Sequence, residues 1–314
     1  MNTPLTKTKH IPFGDNKDAP WYGENILSVG QFSLDDLNFI FDIAHEMGVM
    51  VNSLGTFDLL KGKILANMFY EPSTRTMSCF TSAMERLGGS VIPIFAQQYS
   101  SERPEAALPD WVRTVEAYAD VIVLRHPTIG SSKIAAQYAH KPVINAGEGE
   151  TGEHPTQALL DIFSIREEMG QISGLNITII GSLKNRAIRS LIRLLMLFHD
   201  ITVTLISTSE QFFDEEFLQE VARVGTLILI NKSVLDETIL SFTDVLYVTQ
   251  GTDIVVTPEL LDLAKPKITI LHPFPRGPEL PMEIDSDPRA AYFRQMEYGL
   301  YVRMALLAMV LGKA

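Results

Sequence analysis

The sequence predicts an α/β protein built from two doubly wound, parallel-sheet lobes. Apolar runs of strand length alternate with amphipathic helical patterns along most of the chain, which is typical of parallel sheets with helical crossovers. The chain has 314 residues, 46% of them hydrophobic and 20% charged, an ordinary globular composition with enough length for two domains. A long helical pattern at 154–169 separates two similar sets of strands. We therefore expect two α/β lobes that meet at this helix.

The first lobe follows a polar arm at 1–21. Apolar runs such as ILANMF, SVIPIF and DVIVL predict its strands, and apolar residues at helical spacing, as in 74–87 before Gly88, predict its helices. The predicted strands are 63–69, 90–95, 120–124 and 142–145, and the predicted helices are 34–50, 74–87, 109–119 and 132–140.

The second lobe repeats the alternation. Its predicted strands are 176–180, 201–206, 226–230, 244–248 and 268–271, and its predicted helices are 186–198, 213–223 and 258–264. A final helix at about 289–311 carries Met, Leu and Ala along one face. We expect a first domain at 1–153, a second at 154–288, and a C-terminal helix at 289–314 that packs back on the first domain.

Charge and cysteine content limit the partners. The net charge of −12 and the pI near 5.1 argue against a nucleic-acid or anionic-membrane partner. No apolar run approaches the roughly 20 residues that a membrane span needs, and the N-terminus lacks the apolar core of a signal peptide. The single cysteine, Cys79, excludes a disulfide within one chain and fits a reducing compartment. We expect a cytoplasmic protein in which Cys79 is not catalytic, because no basic neighbour is evident.

The segment FYEPSTRT (69–76) lies where a predicted strand ends and a predicted helix begins. The first N–H groups of a helix have no intrahelical partner and its N-terminus is positive, so this loop can hold an oxyanion. Ser73, Thr74 and Thr76 add hydroxyl donors, and Arg75 adds a planar guanidinium. The alternative is that Ser73 or Thr74 is only an N-cap and Arg75 only a solvated surface charge.

Polar residues follow three other predicted strands, at the carboxyl ends where doubly wound sheets bind ligands. Arg125 precedes His126 after the strand at 120–124, and HPFPR (272–276) follows the strand at 268–271. His154 and Gln157 follow a glycine-rich turn and share one face of the next helix. His126 and the histidine at 272 each precede a proline, and we favour a structural role for both, bonding loop backbone groups.

These residues suit a small phosphorylated acyl substrate. Attack of an amine on its carbonyl would form a tetrahedral intermediate, and His154 and Arg125 could stabilise the oxyanion. The sequence has no Ser-His-Asp arrangement, HExxH, CxxC, GxGxxG or GxxxxGK[ST] motif. We therefore expect no cofactor and no metal.

Five motifs, FYEPSTRT, VLRHP, HPTQALLDIF, LHPFPR and DSDPRAAYFRQ, occur in this order. In order and spacing they resemble the aspartate carbamoyltransferases of pyrimidine biosynthesis, over about 25–312. The resemblance implies a carbamoyl-phosphate-binding domain and an amino-acid-binding domain joined by interdomain helices. It also implies a transferase that uses carbamoyl phosphate and an amine acceptor, and a homotrimer with active sites between subunits.

The resemblance implies roles for individual residues. Carbamoyl phosphate would contact Ser73, Thr74, Arg75, Thr76, Arg125, His154, Gln157, Phe274 and Pro275. Four of these, Arg75, Thr76, Arg125 and His154, would be catalytic, with Arg125 and His154 on the carbonyl oxygen. Gln157 and the backbone at Phe274 and Pro275 would contact the carbamoyl amide, and Arg186 would bind the acceptor.

Three departures from the family pattern concern function, and one of them is the loss of one residue beside Arg186 in the segment at 181–191. Pro104 stands where the family has a lysine that reaches a neighbouring subunit's site; Ser100 is kept, and Arg103 is adjacent and could replace the lysine. The segment after Thr249 is about a dozen residues shorter than in the family and lacks its aspartate-binding arginine and glutamine. Three alternatives stay open: transfer to another amine or weakly to aspartate, unimpaired aspartate activity, or an inactive paralogue with a structural or regulatory role.

Overall fold

The computed structural model describes residues 13–95, 104–207 and 213–314. Its α-helices are α1 (Leu34–Leu54), α2 (Thr74–Arg86), α3 (Pro104–Val115), α4 (Ser131–Tyr138), α5 (Pro155–Met169), α6 (Arg186–Leu195), α7 (Glu215–Val224), α8 (Glu237–Phe242), α9 (Pro258–Leu261) and α10 (Tyr292–Val310). Its strands are β1 (Ile64–Phe69), β2 (Ser90–Phe95), β3 (Val121–His126), β4 (Val143–Glu148), β5 (Asn176–Ile180), β6 (Ile201–Ile206), β7 (Leu227–Lys232), β8 (Val245–Val248) and β9 (Thr269–Leu271). Short 3-10 helices lie at Val29–Gln31 and Met282–Ser286.

The strands form two parallel sheets, in the orders β2-β1-β3-β4 and β7-β6-β5-β8-β9. In the first sheet the chain leaves β1 toward β2 and then returns to the other side, so its direction reverses between β1 and β3. In the second sheet the reversal lies between β5 and β8. The prediction of two doubly wound α/β lobes is confirmed.

Ligands of doubly wound sheets bind beyond the carboxyl ends of the strands at these reversals. In the first sheet Phe69, the last residue of β1, is in register with Arg125 of β3. In the second, Ile180 ends β5 in register with Val248, the last residue of β8. The loops that follow these strands are therefore the ones that the fold brings to a crevice.

Helices α5 and α10 connect the two sheets. In α5 every residue from Pro155 to Ile165 is buried, as expected for a helix surrounded by protein on all sides. Helix α10 packs against α1, α2 and α5 and is buried from Tyr301 to Val310. The predicted joining of the lobes by interdomain helices is therefore seen, whereas the residue bounds of the domains stay a prediction.

Several helices begin or end a few residues from their predicted positions, and α3 and α8 differ most from the sequence-based expectation. Helix α3 begins at Pro104 and not at Pro109, which lies inside it. Proline favours the first helical position, but Pro104 already occupies it. Helix α8 was not expected, because six residues are too few to show helical periodicity; its signal is Asp236, whose side chain accepts from the N–H of Ile239 at 2.9 Å.

Candidate active site

A cavity of about 380 Å³ lies at the carboxyl ends of both sheets, between them. Both lobes and both connecting helices contribute residues to it. Its described lining is Ser73, Arg75, Thr76, Cys79, Arg125, His154, Gln157, Leu160, Asn185, Arg186, Ala187, Gln250, Pro273, Phe274, Pro275, Met296 and Arg303. Within this described lining there are four arginines and no carboxylate.

The N-terminus of α2 forms one wall. Ser73 occupies the N-cap position, but its side chain makes no capping hydrogen bond, so its hydroxyl is not committed to the helix. Ser73, Arg75 and Thr76 line the cavity, and burial lowers the pKa of Arg75. Thr74 instead lines a neighbouring cavity of about 350 Å³, together with Ser73. The first turn of α2 thus presents hydroxyl and guanidinium donors to the main cavity.

Arg125 of β3 and Arg186 of α6 reach the cavity from different lobes and meet at Glu71. Arg125 Nε lies 3.3 Å from Glu71 Oε2, and Arg186 Nη2 lies 3.2 Å from the same oxygen. Arg125 also donates to the carbonyl of Ala146 at 3.3 Å, and Arg186 donates to the carbonyl of Gly149. Burial, followed by the charge of Arg186, lowers the pKa of Arg125 to about 10. One carboxylate therefore holds two cations at the cavity wall.

His154 is the N-cap residue of α5, and its side chain makes no capping hydrogen bond. It is 6% exposed, and its backbone N–H donates to Ser190 Oγ at 3.2 Å. Burial, together with the charges of Arg125, Arg186 and Arg303, lowers the pKa of His154 well below its usual value. The imidazole is therefore neutral, and one ring nitrogen can donate while the other accepts.

Gly147 shows how closely these side chains converge. Its φ is +110°, and a Cβ placed on it would lie 3.1 Å from Arg125 Nη1, 3.2 Å from His154 Cδ2 and 3.4 Å from Arg186 Cζ. A glycine in β4 thus leaves room for three site side chains to meet. The structure therefore brings together Arg125, His154 and Arg186, which are far apart in the sequence.

The remaining expected residues fall into two groups. Gln157, Phe274 and Pro275 line the cavity, whereas Ser100 and Arg103 lie outside the described residues. The structural role favoured for the two proline-preceding histidines is confirmed. His126 Nδ1 accepts from the N–H of Thr128 at 3.0 Å, and His272 Nδ1 accepts from the N–H of Phe274 at 2.9 Å.

Sequence reasoning missed Arg303 and Glu71. Arg303 of α10 is 5% exposed, and its Nη1 donates to Cys79 Sγ at 3.1 Å. The expectation that Cys79 has no basic neighbour is therefore wrong: the neighbour comes from a helix more than two hundred residues further along the chain. The sequence feature that could have identified Arg303 is its position as the one arginine inside the apolar run YVRMALLAMV. Asn185 and Gln250, which also line the cavity, carry no comparable signal.

The described part of the chain contains neither a metal-binding cluster nor a membrane-spanning helix. In residues 13–95, 104–207 and 213–314, no cluster of three or more His, Cys, Asp or Glu side chains could hold a metal ion. Over the same ranges, no helix combines the length and the apolar character needed to cross a bilayer.

Two family models match the chain. The carbamoyl-P binding domain of aspartate/ornithine carbamoyltransferase matches residues 24–167, and the Asp/Orn binding domain matches residues 248–310. The first match contains the N-terminus of α2 and the residues Arg125, His154 and Gln157. The second contains Phe274, Pro275 and Arg303.

Individual proteins are also similar to this chain over most of its length. The multifunctional protein pyr1-3 of Dictyostelium discoideum is 46% identical over 307 residues, 92% of this chain but 14% of that protein, so the chain corresponds to a small part of it. The aspartate carbamoyltransferase catalytic subunit of Thermococcus onnurineus (strain NA1) is 39% identical over 308 residues, 93% of this chain and 98% of that one.

A solved structure matches over nearly the whole chain. The crystal structure of aspartate transcarbamoylase from Trypanosoma cruzi, in complex with carbamoyl phosphate and aspartate, superimposes with a TM-score of 0.87 at 37% identity. The superposition covers 93% of this chain and 97% of that one. By sequence, by domain models and by fold, the chain belongs to the aspartate/ornithine carbamoyltransferase family.

Proposed function

We propose that this chain transfers the carbamoyl group of carbamoyl phosphate to the amine of aspartate. The observation that carries the proposal is a cavity whose described lining holds four arginines, a neutral histidine and no carboxylate. Such a lining favours a small, highly anionic substrate pair. The Trypanosoma cruzi relative, whose fold this chain shares, is described in complex with both carbamoyl phosphate and aspartate. The alternative of an inactive paralogue is less well supported, because the predicted hydrogen-bond donors of the site lie together around one cavity.

The phosphate would bind at the N-terminus of α2. Ser73 and Thr76 supply hydroxyl donors, and Arg75 supplies a guanidinium. Because Thr74 lines the neighbouring cavity and is not in the lining of the main one, we assign its contribution to its backbone N–H, one of the orphan donors of the first turn. Arg125, placed between this wall and His154, would contact both the phosphate and the carbonyl oxygen.

The reaction needs stabilisation of a developing oxyanion. The amine nitrogen attacks the carbonyl carbon, and the carbonyl oxygen becomes negative in the tetrahedral intermediate. Arg125 and neutral His154 donate to that oxygen as charge develops. The bond from the carbonyl carbon to the phosphate oxygen then breaks and phosphate departs. Because the described lining holds no carboxylate, we assign the proton lost by the amine to the departing phosphate, the strongest base at hand.

The acceptor would bind on the side of the second sheet. Arg186 at the start of α6 and Gln250 after β8 both line the cavity there. A guanidinium and a carboxamide suit a carboxylate. Gln250 begins the segment after Thr249, which is shorter than in the family and lacks the family's usual aspartate contacts. We therefore expect aspartate to bind more weakly than carbamoyl phosphate.

The test measures binding and turnover separately. Wild-type protein should bind carbamoyl phosphate in a calorimetric titration and release phosphate when aspartate is added. Arg125→Ala should reduce turnover by roughly thirty- to a thousandfold, since one charged donor to an oxyanion contributes about 2–4 kcal/mol. Arg113→Ala is the matched control, because Arg113 is exposed on α3 and lies over the ring of Tyr138.

Three outcomes separate the alternatives. Binding together with phosphate release on aspartate supports the proposal. Binding with release only on another amine in an acceptor screen would replace aspartate as the substrate. No response at millimolar carbamoyl phosphate would contradict the function and favour the inactive paralogue.

We also propose that the chain forms a homotrimer in the cytoplasm, with Ser100 and Arg103 reaching a neighbouring subunit's site. The family resemblance supports the homotrimer and the shared sites, and the single cysteine supports the cytoplasmic location. Sedimentation equilibrium gives the stoichiometry. Mixing Arg103→Ala subunits with Arg125→Ala subunits should restore activity. In a mixed trimer, some sites take Arg125 from an Arg103→Ala subunit and Arg103 from an Arg125→Ala subunit, so these sites contain neither substitution. As a control, wild-type subunits are dissociated and reassembled in the same way. If they recover activity while the mixture of the two variants stays inactive, the sites are not shared between subunits.

A further inference from the structure

Asp161 is a fully buried carboxylate one helical turn beyond Gln157. Its Oδ1 accepts from Gln157 Nε2 at 2.8 Å and from Gln295 Nε2 at 2.7 Å. Its Oδ2 accepts from the hydroxyl of Tyr247 at 2.8 Å. The carboxylate thus joins α5, α10 and β8 beneath the cavity. Burial raises the pKa of Asp161 to about 6 although these hydrogen bonds lower it, so the group is ionised at pH 7.5.

An ionised carboxylate can only accept hydrogen bonds. Both glutamines must therefore turn their NH₂ groups toward Asp161 and their carbonyl oxygens away from it. The oxygen of Gln295 accepts from the backbone N–H of His272 at 2.9 Å. Gln157 lines the cavity, and among the described residues nothing donates to its side-chain oxygen. The buried charge thus leaves that oxygen available to a ligand.

The contact between Gln295 and His272 connects Asp161 to a second wall of the cavity, the loop at 273–275. His272 Nδ1 accepts from the N–H of Phe274, so its Nε2 carries the proton and donates to Glu279 Oε1 at 3.0 Å. Glu279 in turn accepts from the N–H of Gly277 at 2.7 Å. The loop that brings Pro273, Phe274 and Pro275 to the cavity is therefore held through Gln295, and Gln295 is held by Asp161.

We propose that Asp161 is a positioning residue that makes the cavity select an acyl phosphate bearing an NH₂ group over one bearing a methyl group. Its contacts hold the Gln157 side chain and, through Gln295 and His272, the loop at 273–275 that lines the cavity, and we assign the Gln157 carboxamide oxygen and a backbone oxygen of this loop as the acceptors of the NH₂ group. This rests on the proposed function, in which carbamoyl phosphate occupies the cavity. A site built to hydrogen-bond an NH group rejects an analogue without it, because its buried acceptors are then left unpaired.

The test compares carbamoyl phosphate with acetyl phosphate, which has a methyl group in place of the NH₂ group. The readout is the ratio of their dissociation constants, measured by calorimetry on the full chain. Wild-type protein should favour carbamoyl phosphate by roughly a hundredfold, about tenfold for each NH hydrogen bond. Asp161→Leu should lower this ratio at least about tenfold, through weaker binding of carbamoyl phosphate alone.

Three further variants keep the test decisive if Asp161→Leu does not fold. Gln295→Met breaks the connection to His272 and should also lower the ratio. Asp161→Asn keeps an acceptor oxygen for both glutamines and should retain the ratio within about threefold. Tyr247→Phe is the matched control: it removes a hydrogen bond from the same carboxylate without touching either glutamine, and it should lower stability but not selectivity.

The outcomes separate this inference from the function on which it rests. If wild-type protein binds neither acyl phosphate, both are overturned. If wild-type protein binds carbamoyl phosphate and turns it over, but Gln295→Met and Asp161→Leu weaken both ligands equally, Asp161 has only a structural role and the inference alone fails. The inference alone also fails if the ratio of the two dissociation constants falls as much in Tyr247→Phe as in Gln295→Met.

Discussion

Replacing His154 by glutamine should make the folded protein less sensitive to acid. The pKa of His154 lies well below its usual value because the ring is buried beside Arg125, Arg186 and Arg303. In the unfolded chain the same ring titrates near 6.5. As the pH falls below that value, the unfolded state takes up a proton that the folded state does not, so wild-type protein loses stability.

The size of this loss follows from linkage. Each pH unit below about 6.5 costs the folded state about 1.4 kcal/mol from this one histidine, or about 2 kcal/mol between pH 7.5 and pH 5. His154→Gln keeps a polar side chain but removes the titration. Its unfolding free energy should therefore change about 2 kcal/mol less than that of wild-type protein over this interval.

The assay is urea denaturation of both proteins at several pH values between 5 and 7.5. His272, whose pKa burial also lowers, is present in both proteins, so its contribution cancels in the difference. Parallel pH profiles for the two proteins would refute the reasoning. They would mean that His154 accepts a proton in the folded state as readily as in the unfolded one, and that it is not the neutral donor assigned to the carbonyl oxygen.

Two further predictions concern the walls of the cavity. Gly147→Ala should weaken carbamoyl phosphate binding by at least about tenfold in calorimetry, since a Cβ there meets three converging side chains and the positive φ disfavours alanine; unchanged affinity in a folded variant would contradict that convergence. Ser73→Ala should change the unfolding free energy by less than about 0.5 kcal/mol but weaken binding, whereas Asp214→Ala, which removes a real cap on α7, should cost about 1 kcal/mol. If Ser73→Ala instead costs as much stability as Asp214→Ala and leaves binding intact, Ser73 is only a cap.

The fold could be predicted from the sequence because buried parallel strands read as short apolar runs. The predicted bounds of β2, β5 and β6 match the structure, and other strands begin or end within a few residues of their predicted positions. Helix ends were less predictable, as α3 shows, since a proline favours a helix start without excluding an earlier one. The hydrophobic pattern thus specifies strand positions more sharply than capping signals specify helix starts.

Part of the site could also be predicted from single strand ends. The donors of α2, Arg125 and His154 each follow a predicted strand, so the rule for doubly wound sheets places them at one edge before any contact is known. Arg303 and Glu71 could not be found this way. Arg303 belongs to a helix that returns from the C-terminus, and Glu71 pairs with two arginines of different lobes. Such contacts depend on how the lobes meet, which a single sequence does not show.

The two halves of the site differ in the number of charged donors that line them. On the carbamoyl phosphate side the lining includes Arg75 and Arg125, and two residues are held by contacts outside the lining: Arg125 by Glu71 and Ala146, and Gln157 by Asp161. On the acceptor side, Arg186 is the only arginine of the described lining contributed by the second sheet's helices, and part of its charge is already paired with Glu71. An acceptor carboxylate must therefore compete with Glu71 for Arg186. We therefore expect substitutions near Gln250 to change the choice of acceptor more than the binding of carbamoyl phosphate, which has Arg75, Arg125 and His154 as further donors.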